Sequence, residues 1–288
     1  MKNTIVITGP TASGKSGVAM KLAQGLRGTI INADSLQLYA ELPILTALPS
    51  KEDMHAIPHK LYAILKSHEE FSIAKWLELA TAEIRQAEQP IVVGGTAFYI
   101  KALQEGLSKI PPIDNAVRAQ VRELSSTQAH QMLAQKDPQA AVKLHFNDTQ
   151  RVSRALEVII STGKSIIEWQ NYNDTSLIEG INCQLMILLP DLATLHANAE
   201  RRLHFMFDNG AIEEVRNLTG DLSPTLSKAI GLREIQRYLT GEISKETALD
   251  LTIIATKQYI KRQRTWFHNQ FPKAQIFGSG DELLKQLL

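Results

Sequence analysis

The chain has 288 residues, of which 44% are hydrophobic and 21% are charged, and its formal net charge at pH 7 is +1. This composition excludes a mainly disordered, collagen-like or low-complexity protein, and so small a net charge excludes nucleic-acid binding through overall attraction. The single cysteine, Cys183, cannot form an internal disulfide, and no apolar run approaches the roughly 18 residues that span a bilayer, so we expect a cytoplasmic protein without a signal peptide or membrane anchor.

The N-terminal third predicts alternating strands and helices. A β-branched run at Thr4–Thr8 is followed, after Ser16, by apolar residues with helical spacing. Buried strands are predicted at Thr29–Ile31 and Ile91–Val93, and Ser72 can cap a helix between them. This order predicts an α/β fold with a doubly wound parallel sheet flanked by helices.

The pattern becomes helical from about Pro111 onward. Strand-like runs disappear, and four helix starts are predicted from their capping residues: Asp114, Ser125 with Gln128, Asp137 before Pro138, and Asp148. The last of these helices is expected to end near Gly163. We therefore predict a helical insertion over residues 112–180, within a core formed by residues 1–111 and 181–288.

The C-terminal part predicts a return to the core. A strand is expected at Leu185–Leu189, helices at about Leu192–Asn217 and Ser244–Asn269, and a last strand at Gln275–Phe277. A basic run without any acidic residue follows Asp250 and is either a solvated helix face or an RNA contact: Lys257, Lys261, Arg262, Arg264 and Lys273.

The most specific motif follows the first strand and matches the complete phosphate-loop pattern: Gly9, Pro10, Thr11, Ala12, Ser13, Gly14, Lys15 and Ser16. We call residues 9–16 the glycine loop. In such loops backbone N–H groups surround two adjacent phosphates, the lysine neutralises charge and the hydroxyl after it binds Mg²⁺. The motif predicts ATP or another compound with a pyrophosphate group as the ligand, without separating the two.

Two further segments follow predicted strands and are expected at the same edge of the sheet. Asp34 comes after the second strand and is either a proton acceptor for a nucleophile or a capping residue. Gly94, Gly95 and Thr96 follow the next strand and provide either a site hydroxyl or a simple turn.

Several blocks in fixed order resemble the tRNA dimethylallyltransferases, also called tRNA isopentenyltransferases. They are GPTASGKS at 9–16, DSLQLY at 34–39, PHKL at 58–61, VGGTAFY at 93–99, QRVSRALEV at 150–158, GAIEEVR at 210–216 and KRQRTWF at 261–267. The resemblance covers nearly the whole chain. It implies a core like that of the P-loop NTPases, and transfer of a dimethylallyl group from dimethylallyl pyrophosphate to N6 of the adenosine 3′ to the tRNA anticodon.

The resemblance also implies roles for particular residues. Asp34 would be the general base, Thr11, Lys15 and Arg216 would act on the pyrophosphate together with the rest of the glycine loop, and Ser16 would bind Mg²⁺. Contact with the tRNA anticodon stem-loop would involve Asp34, Ser35, Leu36, Gln37, Thr96, Arg118, Gln150, Arg151, Val152, Ser153 and Arg154. We expect a monomer that needs no obligate protein partner.

The chain departs from the family pattern at four positions, which are Leu45, Leu48, Ala63 and Leu232. Leu45 and Leu48 stand where the family usually has glycine and lysine, which removes a cation. Two alternatives remain at this point. The phosphate loop and Asp34 also fit a P-loop small-molecule kinase, in which Asp34 accepts a hydroxyl proton, and the change at Leu48 would fit a tRNA-binding homologue that has lost catalysis.

Overall fold

The computed structural model describes residues 1–272 and 274–288, so Lys273 of the basic run lies outside the described residues. Its strands are β1 Lys2–Thr8, β2 Thr29–Asn32, β3 His59–Lys60, β4 Pro90–Gly94, β5 Leu107–Ser108, β6 Asn173–Asp174, β7 Ile181–Leu188 and β8 Gln275–Phe277. Its α-helices are α1 Lys15–Leu26, α2 Lys51–Ala56, α3 Ile73–Gln86, α4 Ala97–Glu105, α5 Asn115–Arg122, α6 Ser126–Lys136, α7 Pro138–Lys143, α8 Thr149–Thr162, α9 Ile166–Gln170, α10 Leu192–Asp208, α11 Ala211–Asn217, α12 Leu232–Leu239, α13 Lys245–Gln270 and α14 Gly280–Leu287.

The main sheet has six parallel strands in the order β3-β2-β4-β1-β7-β8. Its central strands β1 and β4 are almost entirely buried, as expected for a parallel sheet covered on both faces. The apolar side of α1 packs on them through Val18, Ala19 and Leu22, and Leu283 of α14 joins the same core. The predicted α/β class with a helix-flanked parallel sheet is confirmed.

Contacts divide the chain into two compact units, residues 1–104 with 178–288 and residues 105–177. The second unit contains α5 to α9, whose helices bury a core of their own around Leu133, Val152 and Leu156. Its ends are paired by β5 and β6, an antiparallel two-stranded sheet. Because this pairing draws residues 105–111 into the second unit, the unit begins before the predicted insertion over 112–180.

The predicted helix starts are confirmed. Asp114, Asp137 and Asp148 each accept a hydrogen bond from the first turn of the helix that follows, and Ser125 forms a reciprocal capping box with Gln128. Each of these residues satisfies N–H groups that the first turn leaves unpaired. Local signals therefore fix the helix boundaries in the second unit.

Two predicted features are wrong. A single helix is expected over Leu192–Asn217, but the structure has two, α10 and α11. The helix ends at Asp208, and Gly210, with φ of 112°, precedes the start of α11. The predicted absence of strands from the insertion is also wrong, since β6 at Asn173–Asp174 pairs with β5. No helix among residues 1–272 and 274–288 is long and apolar enough to cross a membrane.

Candidate active site at the carboxyl edge of the sheet

The loops that begin at residues 9, 33 and 95 share one edge of the sheet. Thr8 at the end of β1 lies beside Gly94 at the end of β4, and the Thr8 hydroxyl donates to the Gly94 carbonyl oxygen at 2.8 Å. A Cβ on Gly94 would lie 2.0 Å from the carbonyl oxygen of Ala33, so only glycine fits where β2 and β4 end. This is the edge at which parallel α/β sheets bind ligands.

Lys15 places a positive charge at the glycine loop. It is the first residue of α1, and its Nζ donates to the carbonyl oxygen of Pro10 at 2.9 Å. Burial lowers the pKa of Lys15 from 10.5 to about 8, while the nearby Asp34 carboxylate raises it. The ammonium therefore lies in an environment that binding of an anion would stabilise.

Arg202 on α10 is a second cation at this loop. Its Nη2 donates to the hydroxyl oxygen of Thr11 at 2.7 Å, and Asn198, one turn earlier, donates to the carbonyl oxygen of Ala12 at 3.3 Å. Burial lowers the pKa of Arg202 and Asp34 raises it, but a guanidinium remains charged in proteins. Arg202 lies outside every sequence block from which the site is predicted.

Two buried polar atoms at the glycine loop, Ser13 Oγ and Arg202 Nε, have no hydrogen-bond partner among the described residues. A buried donor left unpaired costs about 1–3 kcal/mol. Together with the two cations, these atoms describe a site that an anionic ligand would complete.

Asp34 faces the same region from the end of β2. Its backbone N–H donates to Asn32 Oδ1 at 2.7 Å, and its Oδ1 accepts from the Leu36 N–H at 3.1 Å. Oδ2 accepts no hydrogen bond from the described residues and lies 3.5 Å from the position that a Cβ on Gly95 would take. One carboxylate oxygen is thus held by the backbone, and the other is available to a ligand.

Tyrosine side chains lie near Asp34. The pKa values of Tyr62, Tyr99 and Tyr259 are all raised, first by burial and further by the negative charge of Asp34; that of Tyr259 rises to about 12. Tyr99 also stacks on Trp76 with ring centroids 4.3 Å apart. These phenols remain neutral at physiological pH and give Asp34 a partly aromatic environment.

The residues after Asp34 are tied to the neighbouring loops. The Ser35 N–H donates to the hydroxyl oxygen of Thr96 at 2.9 Å, so these two predicted tRNA contacts lie together. Gln37 donates through Nε2 to the carbonyl oxygens of Thr46 and Ala47, at 3.1 and 2.6 Å. Gln37 therefore also supports the loop that carries the two leucine departures.

That loop is held from its other side by Glu214 on α11. The Glu214 carboxylate accepts the N–H groups of Ile44 and Leu45 at 2.6 and 3.0 Å. The Leu45 side chain is buried, and a Cβ on Gly231 would lie 3.0 Å from its Cδ1. Leu45 thus replaces the usual glycine by packing into the core.

Arg216, which the resemblance assigns to the pyrophosphate, is paired with a neighbouring glutamate. It lies at the end of α11 with its side chain 56% exposed, and Nη1 pairs with Glu213 Oε1 at 3.1 Å. Arg202, by contrast, contacts the glycine loop through the Thr11 hydroxyl. Asn198 and Arg202 lie on one side of α10, since residues four apart share a helix face, but this spacing alone does not point to the glycine loop.

The remaining predicted tRNA contacts lie in the second unit. Gln150 and Arg151 are exposed at the start of α8, Arg118 is half-buried on α5, and Arg154 forms an ion pair with Glu157 at 3.5 Å. The Val152 side chain, however, is fully buried in the core of this unit. Only its backbone could meet RNA, because the apolar side of α8 faces inward; Ser153, next to it, is half-buried.

The glycine loop suits a magnesium ion that is held mainly by the phosphate groups of a bound ligand. The described residues contain no cluster of three or more His, Cys, Asp or Glu side chains that could form a metal cage. Mg²⁺ commonly takes one or two protein ligands and completes its shell with phosphate oxygens and water. The exposed Ser16 hydroxyl, next to Lys15, can provide such a ligand.

Comparisons with known proteins agree on one family. The model of the IPP transferase family matches residues 37–270. A tRNA dimethylallyltransferase of Chelativorans sp. is 41% identical over 94% of this chain and 96% of its own, and one of Rhodospirillum centenum is 42% identical over 96% and 92%.

Solved structures agree with this result. The full-length tRNA isopentenylpyrophosphate transferase of Bacillus halodurans has a TM-score of 0.70 and 30% identity, over 100% of this chain and 94% of its own. A eukaryotic dimethylallyltransferase acting on tRNA has a TM-score of 0.79 and 27% identity, over 93% of this chain and 70% of its own.

Proposed function

The chain belongs to the IPP transferase family, and from that premise we propose that it transfers a dimethylallyl group from dimethylallyl pyrophosphate to N6 of the adenosine 3′ to the tRNA anticodon. The observation that carries the proposal is the meeting of Lys15, Arg202 and Asp34 at one sheet edge. Two cations beside a carboxylate suit a reaction in which an anion leaves and a proton is taken up. The relatives named above are tRNA dimethylallyltransferases, which favours this proposal over the kinase alternative.

The glycine loop would hold the pyrophosphate of the donor. Lys15 and Arg202 would balance its charge, with the start of α1 and the loop N–H groups as further donors. The unpartnered Ser13 Oγ and Arg202 Nε support this assignment, since a bound pyrophosphate would satisfy both. The pyrophosphate is then the leaving group and no phosphoryl group is transferred. We propose Arg202 for this role in place of Arg216, because Arg202 contacts Thr11.

Asp34 would accept the proton of the N6 amine. The amine is a poor nucleophile because its lone pair is delocalised into the adenine ring, so the reaction depends on an electrophilic allylic carbon. As the bond from this carbon to the pyrophosphate oxygen breaks, the bond to N6 forms and the N6 proton passes to the free Oδ2 of Asp34. Stabilisation of the departing pyrophosphate by fixed donors lowers the barrier.

Mg²⁺, held by the Ser16 hydroxyl and the pyrophosphate, would supply further stabilisation of the leaving charge. The acceptor adenosine must leave the base stack of the anticodon loop to reach Asp34, at a cost of about a few kcal/mol. Contacts to the unstacked loop are expected from Ser35, Gln37 and Thr96, and contacts to RNA phosphates from Arg118 and Arg151. We expect a monomer acting on tRNA in the cytoplasm.

An incubation with Mg²⁺, labelled dimethylallyl pyrophosphate and unmodified tRNA tests the proposal, followed by nucleoside analysis. Labelled N6-dimethylallyladenosine is expected, and none when the acceptor adenosine is replaced by guanosine. Binding of tRNA and donor without any labelled nucleoside would instead support a homologue that has lost catalysis.

A further inference from the structure

Gln263 joins two loops of the site through one amide group. Its Oε1 accepts the backbone N–H of Thr11 at 2.9 Å, and its Nε2 donates to the carbonyl oxygen of Gly95 at 3.1 Å. The first contact is to the glycine loop and the second to the turn after β4. Because Oε1 and Nε2 belong to the same amide group, these two hydrogen bonds hold the Thr11 N–H and the Gly95 carbonyl oxygen at a fixed separation.

The position of Gln263 within α13 is unusual for a polar residue. The buried side of this helix runs through Thr256, Ile260, Gln263 and Phe267, and Gln263 is only 7% exposed. A buried amide is unfavourable unless its hydrogen bonds are made. An apolar side chain would be sufficient for packing at this position. The presence of a glutamine is therefore explained by its hydrogen bonds to the two loops.

The amide also lies close to the carboxylate of the site. A Cβ on Gly95 would be 3.2 Å from Gln263 Nε2 and 3.5 Å from Asp34 Oδ2, so Gly95 separates the two groups without any side chain between them. On its other side, Gln263 holds the residue whose hydroxyl accepts from Arg202. The amide therefore lies between the cation side and the carboxylate side of the site.

We propose that Gln263 is a positioning residue, which fixes the distance between the pyrophosphate held at the glycine loop and Asp34. This inference rests on the proposed function, which assigns the glycine loop to the donor and Asp34 to the base. The turn that contains Gly95 is itself joined to the Asp34 loop, because the Ser35 N–H donates to the Thr96 hydroxyl and the Thr96 N–H donates to the Ala33 carbonyl oxygen. Both polar ends of the Gln263 side chain are already paired with the two loops. Its loss should therefore slow the chemical step while leaving each substrate's affinity unchanged.

Gln263→Met tests this inference, since methionine keeps the length of the side chain and removes both hydrogen bonds. Gln258→Met is the matched control, because Gln258 is exposed on the same helix. The single-turnover rate of prenyl transfer should fall about 100-fold in Gln263→Met, the cost of a misplacement of about 1 Å. The dissociation constants for inorganic pyrophosphate and for tRNA should match those of the control.

Gln263→Glu and Gly95→Ala keep the test informative if the methionine variant folds poorly. The glutamate still accepts from Thr11 but directs an oxygen at the Gly95 carbonyl, whereas the methyl group added by Gly95→Ala presses on the amide from outside the helix. Both should lower the single-turnover rate selectively. A wild-type rate in Gln263→Met, or a pyrophosphate affinity that falls in proportion to the rate, would overturn this inference but not the proposed function. A wild-type protein without any transfer would overturn the proposed function and the inference with it.

Discussion

At Asp34 the two carboxylate oxygens differ in a way that chemistry can test. Oδ1 accepts from the backbone of Leu36, whereas Oδ2 is free of hydrogen bonds from the described residues. Asp34→Asn keeps the first contact and removes the proton acceptor. We expect the single-turnover rate to fall about 10²–10⁴-fold, the usual contribution of a general base, while tRNA affinity measured by filter binding is retained. A wild-type rate in the Asp34→Asn protein would show that Asp34 is not the general base.

The two arginines form a matched pair at the same scale. Arg202 contacts Thr11 at the glycine loop, while Arg216 is paired with Glu213 at the surface. We expect Arg202→Gln to lower the rate about 10²–10³-fold, as for loss of one donor to a developing charge, and Arg216→Gln to leave it near that of the wild type. Steady-state kinetics with both variants show which arginine acts on the pyrophosphate. A large loss of rate in Arg216→Gln and a small loss in Arg202→Gln would support Arg216, as the resemblance implies.

The pKa of Lys15 predicts how anion affinity varies with pH. Burial lowers this pKa from 10.5 to about 8, so about half of the ammonium has lost its proton at pH 8 and most of it has at higher pH. A bound anion stabilises the protonated form, so binding above pH 8 takes up a proton, and affinity should then fall by up to about tenfold per pH unit.

Calorimetric titration with inorganic pyrophosphate between pH 7 and 10 measures this effect. Lys15→Arg is the control, because a guanidinium keeps its charge over this range while the pyrophosphate ionises identically. Equal pH profiles for the two proteins would contradict the lowered pKa.

At the scale of elements, the contact between α11 and the loop at residues 44–45 gives a stability prediction. Glu214→Ala leaves the N–H groups of Ile44 and Leu45 without their carboxylate, which should lower the free energy of unfolding by about 1–2 kcal/mol. Glu213→Ala is the neighbouring control and removes only the exposed pair with Arg216, so a change within about 0.5 kcal/mol is expected. Urea unfolding measures both, and equal losses would show that the loop contact adds no stability.

The elements also show how far sequence could predict this site. The capping residues and the glycine loop are local signals, so the helix starts and the strand-loop-helix at residues 2–26 could be predicted. Arg202 and Gln263 could not, because each meets Thr11 across a long stretch of chain, |i−j| of 191 and 252. The break at Gly210 was missed since the apolar spacing continues across it.

At the scale of the whole molecule, the unit of residues 105–177 carries predicted RNA contacts that are separate in sequence from the residues of the chemistry. Arg151→Gln should weaken tRNA binding and reduce the slope of log affinity against log salt by about 0.7, the value for one phosphate contact to single-stranded RNA. Lys143→Gln, an exposed charge of the same unit outside the predicted set, is the control. Equal salt slopes for both variants would contradict the assignment of Arg151.

Transfer of the dimethylallyl group yields two products, the modified tRNA and pyrophosphate, and one experiment can measure both. In a single turnover with dimethylallyl pyrophosphate and unmodified tRNA, pyrophosphate release and N6-dimethylallyladenosine should appear at the same rate and in equal amounts, and both should be lost in Asp34→Asn. Pyrophosphate released without modified nucleoside, or released independently of tRNA, would contradict transfer at this site.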